Sequence, residues 1–167
     1  MMACCMAFGM TMTSCNGDDP IITDNVTRTD LLTPMCLCKA PTSGVDAISI
    51  ANDFEFWTFT DTKAANGSFS TKSGKVYIKC NKMSDSWNVA DGRLSVESEN
   101  FNLVMASFAG ARAFAFNNTV YVPSNIAING HTLESSLVEL GLSKARLWRI
   151  LEKSKETGSA VYIQEVE

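Results

Sequence analysis

Six cysteines and a single histidine are the residues of this 167-residue chain most able to do chemistry, so their spacing comes first. Cys36-Leu37-Cys38 is a Cys-x-Cys pair, Cys80 stands far downstream, and His131 is the one imidazole. One close pair, one distant thiol and one histidine fall short of the paired spacings of a structural zinc site, so no metal or other cofactor is expected. In an oxidising compartment the expectation is a disulfide from Cys80 to Cys36 or Cys38 with one thiol left over. Fully reduced packing is the alternative.

No G-x-S-x-G and no phosphate-binding glycine loop occurs in the sequence, and His131 beside Gly130 reads as a loop residue. The carboxylates Asp53, Glu55, Asp61, Asp85, Asp91, Glu97 and Glu99 are numerous, but a glycosidase pair is defined by separation in space. The chain therefore reads as a non-enzyme. Trp57 and Trp87 would serve as sugar-stacking platforms if exposed; burial is the commoner fate of so large an apolar surface.

Composition bounds what can hold these residues. With 46% hydrophobic and 19% charged residues the chain folds, and its length suits one core. A formal net charge of −4 gives no overall attraction for polyanions.

The first fourteen residues, MMACCMAFGMTMTS, carry no charge and five of the eight methionines. As a helix they would rise about 21 Å, short of the ~30 Å hydrocarbon core, yet the length suits the apolar region of an export signal. The first basic residue is Arg28, so the basic start of such a signal is expected upstream of Met1. Met12-Thr13-Ser14-Cys15 resembles the lipobox of bacterial lipoproteins, and Asn16-Gly17-Asp18-Asp19-Pro20 resembles the acidic tag behind the lipidated cysteine of surface-displayed lipoproteins. The resemblance implies cleavage before Cys15, lipid on its sulfur and amine, and a place on the outer membrane or cell surface. Two or three acyl chains make a firm anchor, at ~0.8 kcal/mol per buried CH₂. The membrane is then one partner, and a glycan, a peptide or another protein the other.

From Cys15 to about Gly44 the chain is polar, holds Pro20, Pro34 and Pro41, and reads as a tether; the globular body is expected over 45–167. Asp53–Thr60 reads as an interior strand and Lys75–Cys80 as a half-buried one with Val76, Ile78 and Cys80 on one face. Turns are expected at Asn66-Gly67, Ser73-Gly74 and Asp91-Gly92, the last before a strand over Arg93–Glu97. The spacing of Phe101, Val104, Met105, Phe108 and Ala111 predicts a helix over Asn100–Ala113, followed by a hairpin turning at Asn117-Asn118.

Leu133–Leu140 and Ser143–Lys155 read as two helices, the second capped by Ser143 with Leu142 stapled to Leu147 and ended by Gly158; a strand from Ala160 closes the chain. This gives an α+β domain: an antiparallel, sandwich-like β-meander with a C-terminal helix pair and a closing strand. Residues 133–155 also resemble a DNA-binding helix-turn-helix, with Gly141 at the turn and Lys144, Arg146, Arg149, Lys153 and Lys155 on the second helix. That implies a DNA-binding regulator as the alternative function. Export argues against nucleic acid as a partner, and Leu137 is large for the helix crossing.

Overall fold

A computed structural model describes residues 25–41 and 54–165. Helix α1 (Arg28–Leu32) leads to strand β1 (Leu37–Lys39); strands β2 (Phe54–Phe59), β3 (Ala64–Lys72), β4 (Lys75–Ser84), β5 (Trp87–Ala90), β6 (Arg93–Val96), β7 (Glu99–Asn102), β8 (Val104–Phe108), β9 (Ala111–Phe116) and β10 (Thr119–Pro123) follow. Helices α2 (Leu133–Glu139) and α3 (Lys144–Thr157), strand β11 (Val161–Tyr162) and a 3₁₀ turn over Ile163–Glu165 complete the chain. Eight strands form one antiparallel sheet in the order β11-β4-β3-β2-β1-β10-β9-β8, and β5-β6-β7 form a second. The fold is α+β.

Both faces of the large sheet are covered, which is why β2 is apolar on both sides. Phe56, Phe69, Ile78 and Val161 join Leu137, Leu147, Ile150 and Leu151 of α2 and α3 in one core. Leu37, Trp57, Phe59, Phe114, Phe116 and Tyr121 join Trp87, Leu94 and Val96 of the small sheet in the other. The result is helices, large sheet, small sheet.

Local chemistry explains most elements. Ser143 caps α3 by accepting from Arg146 N–H at 3.2 Å, Leu142 and Leu147 are both buried in the same core, and Gly158 ends the helix at φ 75°. Asn117-Asn118 turn the β9–β10 hairpin at φ 55° and 58°, the conformation a two-residue primed turn needs. Ser73-Gly74 and Asp91-Gly92 do the same between β3 and β4 and between β5 and β6.

Five expectations need correction. The stretch expected to be a tether enters the body: β1 is a central strand between β2 and β10, and Val26, Leu31 and Leu37 are buried. Thr27 and Asp30 form a capping box on α1, and Arg28 lies 3.9 Å over the Trp87 ring while donating to the Trp87 carbonyl. Asp30 pairs with Arg112 at 3.1 Å. Polar residues and prolines made these positions look unstructured, but they are held by partners far along the chain. Residues 15–24 and 42–44 of the expected tether lie outside the described residues.

Asn100–Ala113 is strand, not helix. Leu103 separates β7 from β8, so Phe101 lies on a different strand from Val104 and Met105, three and four residues on; Phe101 and Leu103 pack inward while Val104 is 55% exposed. Ala109-Gly110, both at positive φ, turn β8 into β9. Asn66-Gly67 is no turn either. It lies inside β3 at a β-bulge opposite β4, and the β2–β3 turn is closed instead by Thr60 N–H donating to the Lys63 carbonyl at 2.8 Å. The closing strand is shorter than expected, since β11 holds two residues.

Candidate binding site

The fifth correction concerns the cysteines, and sheet register decides it. Cys38 is opposite Phe56, Phe56 opposite Gly67, and Gly67 opposite Cys80, so the two cysteines share one face with two strands between them. Three strand spacings are about 14 Å, whereas a disulfide needs Cα atoms within about 7 Å. Cys36, just before β1, lies across the same two strands. A bridge from Cys80 to Cys36 or Cys38 does not fit, and all three thiols are free. Cys80 Sγ rests 3.6 Å from the Lys82 carbonyl, and its N–H, beside the bulge, donates to Ser154 Oγ at 2.8 Å. Burial pushes the Cys80 thiol up.

Cys36 and Cys38 instead face each other with sulfurs 3.7 Å apart. Around them lies a network the sequence did not announce. Ser124 Oγ accepts from Cys36 N–H at 3.1 Å and donates to Glu134 Oε2 at 2.9 Å, and Met35 N–H donates to the same carboxylate oxygen at 3.3 Å. Lys144 donates to the Leu32 carbonyl, and burial lowers its pKa against the opposing pull of Cys36, Asp61 and Glu134. Beside this network, Cys38, Val122, Ile128, His131, Leu133 and Ser136 line a cavity of about 260 Å³. His131 is exposed on its rim and is fixed in backbone by a bridge to Ile128.

On the other side of the sheet the aromatic layer carries a polar edge. Trp57 Nε1–H donates to Tyr121 Oη at 3.3 Å, the Tyr121 hydroxyl donates to Glu55 Oε2 at 3.1 Å, and Asn66 donates to Glu55 at 2.8 Å. Burial, reinforced by the Glu55 carboxylate, pushes Tyr121 up to about 12. Near it opens a cleft of about 430 Å³ between β7 and the β9–β10 turn, bounded by Asn100, Phe101, Asn102, Phe116, Asn117 and Asn118. Phe101 stands edge-on to Trp57, with centroids 6.5 Å apart. Amides with both donor and acceptor atoms beside aromatic rings suit a polyhydroxylated ligand.

The remaining sequence candidates are dispersed. Trp57 and Trp87 are buried at 4% and 7% exposure, so neither is a stacking platform. Asp61, Asp85, Asp91, Glu97 and Glu99 are exposed, and Glu99 pairs with Lys82. Asp53 and Cys15 lie outside the described residues. Among the described residues no group of three His, Cys, Asp or Glu side chains is placed to hold a metal ion, and no helix is long and apolar enough to cross a membrane.

The helix pair expected at 133–155 is present, with α3 buried through Leu147, Trp148, Ile150, Leu151 and Ser154. Arg146 donates to the Gly141 and Ile163 carbonyls at 2.9 and 2.7 Å, and Lys144 is spent on Leu32. Lys144 and Arg146 of the would-be recognition helix thus tie down their own chain. No protein-family model, no curated protein and no solved structure matches this chain.

Proposed function

We propose that the chain is a lipid-anchored, exported binding protein whose body takes a glycan in the cleft beside Phe101. The observation that carries the anchor is Met12-Thr13-Ser14-Cys15 at the end of an uncharged apolar stretch, with Val26, the first buried residue among those described, a short stretch behind it. The cleft supports the ligand class: four asparagine amides and the half-buried Phe101 ring meet the hydroxyls and an apolar face of a sugar without needing a charge.

Two measurements test it. Mass spectrometry of the protein from its host should find an acylated N-terminus at Cys15, with unprocessed precursor accumulating in Cys15→Ala; a mature chain beginning at Met1 with a free Cys15 thiol would sink the anchor. Titration of the full chain with neutral oligosaccharides should give saturable binding that weakens at least tenfold in Asn102→Ala and in Asn118→Gly. The glycine keeps the positive φ of 58° at that turn while removing the amide. Oligosaccharide affinity unchanged in both variants, or none up to millimolar concentration, would move the ligand elsewhere.

A further inference from the structure

Residues two apart on extended chain fall on the same side, so Cys36 and Cys38 point together into the layer under α2 and α3 while Leu37 points into the aromatic layer. Alternation thereby makes a sulfur pair. Their 3.7 Å separation is van der Waals contact, less than 2 Å longer than the ~2.0 Å of a bond. Cys80, the partner expected from spacing, is two strands away.

We propose that Cys36 and Cys38 are a dithiol–disulfide couple, oxidised by exchange with a low-molecular-weight disulfide that enters through the cavity beside Cys38. The Cys38 thiolate attacks one sulfur of the reagent RSSR; its S–S bond breaks, RS⁻ leaves, and a mixed disulfide forms on Cys38. The Cys36 thiolate then attacks the Cys38 sulfur and expels the second RS⁻. The two protons given up by the cysteines end on the two RSH, so protein dithiol plus RSSR becomes protein disulfide plus two thiols. Order follows position: Cys38 lines the cavity, whose rim residues Asn129, His131 and Ser136 are exposed, whereas Cys36 does not line it. Burial and the neighbouring sulfur hold the Cys38 thiol well above its usual value, so the exchange is slow at neutral pH and quickens about tenfold per pH unit.

The proposal stands apart from export, because its test runs on the purified full chain. Folded protein is incubated with oxidised glutathione, quenched in acid, denatured, labelled with N-ethylmaleimide and cut with trypsin. Cleavage after Arg28 and Lys39 puts Cys36 and Cys38 alone in Thr29–Lys39, cleavage after Lys79 and Lys82 isolates Cys80, and Cys4, Cys5 and Cys15 fall in the peptide ending at Arg28. The expected result is an unlabelled Thr29–Lys39 peptide lighter by two hydrogens than its reduced form, with Cys80 labelled. In Cys36→Ala a glutathione adduct should accumulate on Cys38. Overturning results are a doubly labelled Thr29–Lys39 peptide after prolonged excess oxidant, two stable glutathione adducts on it, or a cross-link from it to the Cys80 or N-terminal peptide. Should Cys36→Ala fail to fold, the wild-type peptide masses decide alone.

Discussion

Phe56 and Gly67 are partners across β2 and β3, and the Phe56 ring lies where a side chain at 67 would go. A methyl on Gly67 would meet Phe56 Cζ at 2.7 Å, Leu151 Cδ2 at 2.9 Å and the Lys79 carbonyl oxygen at 2.9 Å. The last of these is backbone and cannot swing away. Glycine here lets α3 sit down on the sheet through Leu151. Gly67→Ala should therefore cost about 1–3 kcal/mol, the usual penalty of overpacking. Urea unfolding should show a lower midpoint at unchanged slope, and wild-type stability would mean that Leu151 is not seated on this glycine. Gly74→Ala is the contrast: it meets nothing within 4 Å but sits at φ 77°, so about 1 kcal/mol of backbone strain is its whole cost.

Arg146 and Arg149 look equivalent in the sequence, three positions apart on one helix. The structure separates them. Arg146 joins the end of α2 to the turn after β11 through two carbonyls, so Arg146→Ala should lose about 1–2 kcal/mol, part of each charge-assisted bond being offset by water. Arg149 is exposed, and its alanine variant should lose less than Arg146→Ala does. Leu147→Asp, which buries a charge in the helix–sheet core, should abolish folding. Equal midpoints for the two arginine variants in thermal or urea melts would refute the assignment.

Elements whose signals are local could be read without coordinates. The Ser143 cap, the Gly158 stop, the Asn117-Asn118 turn and the alternation of Val76, Ile78 and Cys80 each depend on neighbours a few residues away. What could not be read depends on distant pairing. Leu37-Cys38-Lys39 is three residues long and becomes a central strand only because β2 and β10 flank it. Met105 reads equally well at helical and strand spacing until Phe114 is set opposite it. The cleft was missed for a related reason: Asn100 and Asn102 come from one sheet and Asn117 and Asn118 from a turn of the other. The exchange of Cys80 for Cys36 as the neighbour of Cys38 is the same lesson in chemistry, since spacing ranks loops while register fixes distances.

Tyr121 makes the fold sensitive to alkali. Its hydroxyl is pushed from the usual 10 to about 12, by burial first and the Glu55 carboxylate second. Below about pH 10 folded and unfolded chains both hold the phenolic proton, and the stabilisation by Tyr121 is fully present. Between about pH 10 and 12 the unfolded chain releases it while the folded chain keeps it, so folding stability falls as pH rises. Tyr121→Phe should be less stable than wild type at neutral pH, having lost the bonds to Glu55 and Trp57, and the gap should narrow across that window. Absorbance titration should show a late-ionising phenol in wild type that is missing from the variant. A gap independent of pH would place Tyr121 at an ordinary value.

Glu134 holds the start of β1 to the start of α2. One carboxylate oxygen receives Ser124 Oγ–H at 2.9 Å and Met35 N–H at 3.3 Å, Ser124 in turn receives Cys36 N–H, and backbone bonds from Ser124 N–H to Cys36 and from Glu134 N–H to Ser124 close the loop. Removing the carboxylate leaves a buried hydroxyl and an amide without their acceptor, which costs about 1–3 kcal/mol. Glu134→Ala should show that loss, and Glu134→Gln, which keeps an acceptor oxygen, should recover most of it. Because the broken bonds are local, the damage should be local too: amide exchange at Met35 and Cys36 should accelerate, and alkylation of reduced Cys36 and Cys38 should speed up relative to Cys80. Cys80 is tied instead to Ser154 on α3 and serves as the internal reference. Equal acceleration at all three thiols would mean that Glu134→Ala opens the whole domain, and unchanged rates would mean that β1 is held by its sheet pairing alone.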